Sequence, residues 1–193
     1  MSKWSDIAYR AALTNPDIVV TDDSTMSAVP REGHYNVYKP SRTIDALDFI
    51  TGLMRENSNE LGFIPNTTIE SRYIAQNRYI LQTNDRGRFV GYLLHGSLQP
   101  GKPCVISQAV IDYDYRARHW GTCVIQEFIS RCLFIGVSSI HLRVASDMEA
   151  VFFWKSLGFV FLRLHSVQNS RNRDIIEMVY RFDLPLLQME LAT

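Results

Sequence analysis

The sequence predicts an α/β or α+β domain, a sheet with helices on both of its faces. Two kinds of periodicity lead there. Short runs that alternate apolar and polar residues read as strands, and longer runs with apolar residues three and four apart read as amphipathic helices. The two kinds are interleaved along the chain, and 193 residues suffice for one domain of ordinary size.

Residues 1–33 read as an N-terminal appendage, with an apolar-spaced piece (Trp4, Ile7, Ala8, Ala11, Ala12) and a polar turn at Thr21-Asp22-Asp23-Ser24. The main domain is expected over 34–193. Tyr35-Asn36-Val37-Tyr38 alternates like a short strand that Pro40 stops. Ser41 or Thr43 can cap a helix over 43–57, whose Ile44, Leu47, Ile50, Leu53 and Met54 share one face. Leu61-Gly62-Phe63-Ile64-Pro65 is a turn, and Asn66 or Thr67 opens a second helix to about Gln76. Strands over 79–83 and 88–97 flank Asn84-Asp85-Arg86-Gly87, a hairpin signal, and a third strand runs over 104–112. A helix starts near Gly121, with Val124, Ile125, Phe128, Cys132 and Leu133 on one face, and Gly136 ends it. A strand over 138–144, a short helix from Asp147 to Gly158, and strands over 159–165 and 175–182 complete the order.

Composition narrows the function classes. Twenty basic and twenty acidic residues cancel to a net charge of zero, which argues against a general nucleic-acid or membrane coat but not against a local site. No apolar run approaches the roughly 18 residues of a membrane span, so no membrane partner is expected. The first residues lack a signal-peptide pattern, and a cytoplasmic location is expected. Three cysteines with no CxxC pair make a disulfide framework or cysteine zinc site unexpected. His95, His141 and His165 form no HxH or HxxH pair, and no metal is expected.

The stretch that carries chemistry is Ile111-Asp112-Tyr113-Asp114-Tyr115-Arg116-Ala117-Arg118-His119-Trp120-Gly121-Thr122-Cys123. A strand runs into a basic turn that feeds directly into a helix. The first amides of a helix have no carbonyl partner and sit at the positive end of its dipole, and Arg116 and Arg118 add charge beside them. A pyrophosphate suits such a site. The ending is not that of a P-loop, and only one glycine of the dinucleotide fingerprint is present. As a solvated turn, the same segment would pair Asp112 and Asp114 with Arg116 and Arg118.

After the next strand comes Asp147-Met148-Glu149-Ala150-Val151-Phe152-Phe153-Trp154-Lys155-Ser156-Leu157-Gly158-Phe159. Taken together, Arg118-x-x-Gly121-x-Cys123 and Ala150-x-x-Phe153-Trp154-x-x-Leu157-Gly158-Phe159 resemble the GNAT acyltransferase superfamily, in the order and on the elements where that family carries its two motifs. The resemblance implies a mixed, mostly antiparallel sheet with helices on both faces. It also implies acyl-CoA, most simply acetyl-CoA, as co-substrate. Backbone groups of Ala109, Val110 and Ile111 would pair with the pantetheine arm, and Arg116, Arg118, His119, Trp120, Gly121, Thr122 and Cys123 would surround the pyrophosphate. Asp147 and Trp154 would complete the cofactor site, and with Ser107 and Gln108 they occupy the positions of catalysis.

The departures are Cys123 for a smaller residue, Asp147 for an asparagine, and Trp154 for a tyrosine that could protonate the departing thiolate, which an indole does not do. No glutamate stands on the strand of Ser107 and Gln108, so Asp112 and His119 are the alternative bases. The function the resemblance implies is transfer of an acetyl group to an amine by direct attack in a ternary complex. Two other readings stand beside it. One is a phage-type enzyme modifying DNA, a nucleobase or a nucleotide, suggested by the basic residues Arg163, His165, Arg171 and Arg173. The other is a non-catalytic acyl-CoA-binding module. A C-terminal strand followed by Leu184-Pro185-Leu186-Leu187 would suit a homodimer.

Overall fold

A computed structural model describes residues 18–20, 26–28, 36–38, 43–84, 86–165 and 173–182. Within the segment that the sequence reads as an appendage, β1 (Ile18–Val20) and β2 (Met26–Ala28) pair antiparallel as a separate two-stranded sheet. The appendage's other residues, Arg171 and the proposed Leu184–Leu187 dimer segment lie outside the described residues.

The main sheet has seven strands: β3 (Asn36–Tyr38), β4 (Tyr79–Thr83), β5 (Phe89–His95), β6 (Pro103–Ile111), β7 (Ser139–Ala145), β8 (Val160–His165) and β9 (Ile175–Arg181). Their spatial order is β3-β4-β5-β6-β7-β9-β8. Only β6 and β7 run parallel, so the sheet is mixed and mostly antiparallel. The described helices are α1 (Thr43–Glu56), α2 (Asn66–Thr68 continued by Ile69–Ile74), α3 (Trp120–Ile135) and α4 (Ala150–Ser156). The sequence reading has this order for the main sheet and its helices, with boundaries displaced by at most three residues, and it lacks β1 and β2.

Each face has its own core. Ala46, Ile50, Leu53 and Met54 of α1, with Ile69, Tyr73 and Ile74 of α2, pack on Leu81, Tyr92, Leu94 and Val110. On the opposite face, Val124, Ile125, Phe128 and Cys132 of α3 and Val151 and Trp154 of α4 pack on Ile80, Leu93, Cys104, Ile106, Ile140 and Leu142. Gly136 ends α3 in the left-handed region (φ 81°), where its missing Cβ removes the steric penalty.

Helix α2 departs from the sequence expectation of a plain helix to about Gln76. It begins as an α-turn (Asn66–Thr68) and continues as a π-helical turn (Ile69–Ile74), with Ala75 N–H donating to Glu70 O at 2.8 Å and Arg78 N–H to Tyr73 O at 2.7 Å. Tyr73 and the adjacent Ile74 of this wider turn are both buried on the core side. The second departure is α4. It starts at Ala150 rather than Asp147, and the residue before it, Glu149, gives no side-chain cap.

A bulge in β6 positions everything that follows. Gln108 opposes Leu94, but the next residue of β5, His95, opposes Ile106, so Ser107 is extra. One added residue reverses which face the side chains meet. Gln108 and Val110 point to the α1/α2 side, whereas Ile106 and Cys104 point to α3. Pairing of β6 with β7 ends at Ile106–Leu142, next to the bulge. Beyond it the two strands part, because β6 continues along β5 while β7 continues along β9.

Candidate acyl-CoA site

The gap between β6 and β7 exposes one edge of β6. Asp112 N–H donates to Val90 O at 2.9 Å, and antiparallel alternation then turns the backbone groups of Gln108 and Val110 toward β5. Ala109 and Ile111 turn theirs toward the gap. Of the three residues expected along a pantetheine arm, Val110 is therefore directed to Tyr92, and its side chain lies in the α1/α2 core. Ile111 O already accepts from Arg116 Nε at 3.1 Å, which leaves Ile111 N–H and both groups of Ala109 along the gap.

At the far end of β6 a 3-10 turn (Tyr113–Tyr115) leads into the start of α3. Asp112 Oδ1 caps that turn by accepting from Asp114 N–H at 3.1 Å. Ala117 (φ 56°) and His119 (φ 63°) are both left-handed, an uncommon state for residues with a Cβ that costs about 1 kcal/mol each. His119 is the cap residue of α3, its side chain makes no capping bond, and no acid stands in the first turn. Cys123 N–H donates to His119 O at 3.0 Å, so the amides of residues 120–122 precede the first intrahelical bond. Strained loop, uncapped helix start and absent acid together suit an anion.

Arg116 does not join that cradle. It reaches back across the loop to Glu60 (3.3 Å) and to Asn57 Oδ1, tying the start of α3 to the segment after α1. The expected pairing of Asp112 and Asp114 with Arg116 is thus replaced by a longer-range clamp. Arg118 and His119 are exposed, and Thr122 and Cys123 are half-buried in the first turn of α3. Burial pushes the Cys123 thiol up, so it stays protonated at neutral pH. Trp120 meets Tyr115 edge-on at 6.4 Å between ring centroids. Gly121 is close-packed: an added Cβ would lie 3.2 Å from Phe153 Cζ and 3.6 Å from Ile111 Cγ1.

The positions expected for catalysis separate. Trp154 is buried, with its ring edge-on to Phe153 (5.1 Å) and Phe159 (5.2 Å), and packs as core. Asp147 is exposed and holds Arg173 Nε at 2.9 Å, so its carboxylate anchors the approach to β9 rather than capping α4. Gln108 is buried, accepting from Tyr92 Oη at 2.9 Å and donating to Gly62 O at 2.5 Å. Burial also raises the Tyr92 hydroxyl well above its ordinary value, so it remains a donor. Ser107 stands at the bulge, at the mouth of the gap, and accepts a 2.9 Å bond from Tyr73 Oη. Nothing local in the sequence marks Tyr73, because its contact with Ser107 joins α2 to β6 over 34 residues.

The late hairpin is also different from its sequence reading as a run of basic residues. Buried Glu177 of β9 accepts from Arg163 Nε (2.7 Å), His165 Nε2 (2.7 Å) and His141 Nδ1 (3.3 Å). The described basic residues of the hairpin, Arg163, His165 and Arg173, are thus each engaged with an acid.

The Arg163 hydrogen bond first, then that of His165, holds the Glu177 carboxyl at about 2 rather than the ordinary 4.5. A depressed folded value means that ionised Glu177 stabilises the fold above pH 4.5 and that this contribution is lost as pH falls toward 2. The urea midpoint is therefore expected to fall steeply across that window, and Glu177→Gln is expected to flatten the fall. Equal slopes in both proteins would mean that the cluster does not hold the carboxylate.

Among the described residues no group of three or more histidine, cysteine, aspartate or glutamate side chains could hold a metal ion, and no helix is long and apolar enough to cross a membrane.

No family model matches the chain, and no curated protein matches it in sequence. Solved structures do match in shape. Ard1 from Thermoplasma volcanium superposes with a TM-score of 0.63 at 18% identity, covering 76% of this chain and 97% of that one. The ribosomal-protein-S18-alanine N-acetyltransferase from Escherichia coli gives 0.64 at 16% identity, covering 78% and 96%. The putative acetyltransferase yncA from Salmonella typhimurium, solved with its cofactor acetyl-CoA, gives 0.63 at 14% identity, covering 77% and 95%. The fold of this chain is that of the GNAT N-acetyltransferases.

Proposed function

We propose that this chain, which has the GNAT fold, is an acyl-CoA-dependent N-acyltransferase that moves an acetyl group from acetyl-CoA to an amine within a ternary complex. The observation that carries the reading is the parting of β6 and β7 beside the Ser107 bulge, with an uncapped helix start at the other end of the same strand. One strand thereby offers free backbone groups for an extended arm and leads straight to a seat for its pyrophosphate. The acetyl-CoA reported with yncA supports the same choice of cofactor.

The amides of Trp120, Gly121 and Thr122, with Arg118, hold the pyrophosphate, and Ala109 and Ile111 pair with the pantetheine. The thioester then lies next to Ser107. The amine attacks as the neutral base: its nitrogen bonds to the thioester carbon while the carbonyl electrons move to oxygen, where a strand N–H stabilises them. Collapse of the intermediate breaks the carbon–sulfur bond, the nitrogen gives up its extra proton to water, and the CoA thiolate takes one. With Trp154 in the core, the donor of that proton is the Ser107 hydroxyl, resupplied by Tyr73 Oη at 2.9 Å, and the tyrosine regains a proton from water. The products are an N-acetyl amide and free CoA.

The test is thermal unfolding with acetyl-CoA, followed by thiol release on a panel of amines. At a hundredfold excess over Kd the unfolding temperature is expected to rise roughly 5–10 °C. No rise at millimolar acetyl-CoA would overturn the reading.

A further inference from the structure

The face of the sheet that carries α1 and α2 is covered only as far as β6, since the core they form takes nothing from β7, β8 or β9. Past β6, no described helix lies over this face. An open cavity of about 520 Å³ occupies it, lined by Val105, Ser107, His141, Arg143 and Glu177 among others. Ser107 connects the cavity to the mouth of the β6/β7 gap, so a molecule in it approaches the bulge from the side opposite α3. On the acyltransfer reading, on which this inference rests, that is the approach open to the acceptor.

The charges in the cavity select among amines. Its one carboxylate among the described residues, Glu177, already accepts from Arg163, His165 and His141, and the side chain is 8% exposed. A carboxylate so surrounded does not receive a substrate ammonium. Because it is acceptor-only, it also fixes His141 with Nδ1–H toward Glu177, leaving Nε2 to the Ser139 hydroxyl at 3.0 Å. Arg143 sits opposite Glu177 in the β7/β9 register, is exposed, and makes no ion pair among the described residues. Arg163, which is not part of the cavity lining, already offsets the Glu177 carboxylate, so Arg143 is the charge left facing the cavity. An acceptor made only of amines would meet repulsion there.

We propose that the acceptor is an amine that also carries an anionic group, a carboxylate or a phosphate, and that Arg143 holds that anion while the amine reaches the thioester beside Ser107. Guanidinium suits both oxyanions through paired N–H bonds.

The test uses the full chain with CoA bound and follows acceptor binding by calorimetry, with turnover by thiol release. The acceptors are glutamate and phosphoethanolamine for the two anions, with glutamate diamide, ethanolamine and spermidine as controls. At least one anionic amine is expected to bind about 10- to 100-fold tighter than its neutral counterpart, as for a charge-assisted contact, and which one separates carboxylate from phosphate. Arg143→Ala is expected to erase that preference through KM with little change in kcat, Arg143→Lys to restore part of it, and CoA stabilisation to stay as in the parent. Equal or tighter binding of spermidine or the neutral amines, with CoA stabilisation intact, would overturn this proposal and leave acyl transfer standing. Loss of CoA stabilisation in the parent protein would overturn both.

Discussion

Replacing Gly121 with glutamate is expected to abolish stabilisation by acetyl-CoA while leaving the protein folded. Gly121 is the second residue of α3, inside the turn whose amides would hold the pyrophosphate on the proposed function. A carboxylate there sets a negative charge against the phosphates and competes for the same N–H groups. With each lost phosphate contact worth about 1.5–3 kcal/mol, Kd should rise by more than about 100-fold. The fold itself has reason to tolerate the change. An acid in the first turn of a helix is favourable toward the dipole, and the added Cβ meets the ring end of Phe153 at 3.2 Å, a contact that a small shift relieves. Gly121→Ala carries the same steric demand without the charge and should lose no more than about tenfold. Full stabilisation of the glutamate variant by acetyl-CoA would show that the pyrophosphate does not bind at α3.

Removing one oxygen atom from Tyr73 is expected to slow turnover about 100-fold, at the lower end of what a positioned proton donor contributes. Tyr73 Oη donates to Ser107 Oγ at 2.9 Å, and Ser107 is the bulged residue next to which the thioester would lie. Tyr73→Phe keeps the ring in the α1/α2 core and removes only the hydroxyl, so stability should fall by about 1 kcal/mol. The KM for acetyl-CoA should stay within a factor of about 3, since the pyrophosphate seat is untouched. Ser107→Ala should reproduce the loss in kcat, and the double variant should be no worse than either single one, because the two hydroxyls act in series. An unchanged kcat in Tyr73→Phe would remove Tyr73 from the reaction. Trp154→Phe offers the contrast: it should cost stability through the packing against Phe153 and Phe159 while leaving kcat close to that of the parent.

The candidate site was partly legible in the sequence because half of it is local. A helix start is written in consecutive residues, so residues 118–123 stand out as a candidate anion seat from the chain alone. The strand that leads to it could be read by its alternation. Side chains facing a neighbour from another element were the ones misplaced. Arg116 looked like the partner of Asp112 or the phosphates, yet its guanidinium reaches Glu60, 56 residues away. Arg163, His165 and Arg173 looked like a basic surface because the acids that hold them, Glu177 and Asp147, come from other strands and loops. Trp154 stood where a proton donor was sought, and its indole is packed among aromatic rings.

What the sequence by itself determined is the order of strands and helices of the main sheet, which follows from hydrophobic period, and the helix start after a basic turn at α3, which follows from local chain geometry. Only the tertiary structure decided which groups converge on the reacting centre. The bulge at Ser107, the hydrogen bond that Tyr73 makes to it, and the pairing of Glu177 that leaves Arg143 without an ion pair among the described residues all depend on strands and helices meeting across the sheet. A one-residue shift in pairing reverses the face of every side chain beyond it, and no periodicity within a single segment records where that shift occurs.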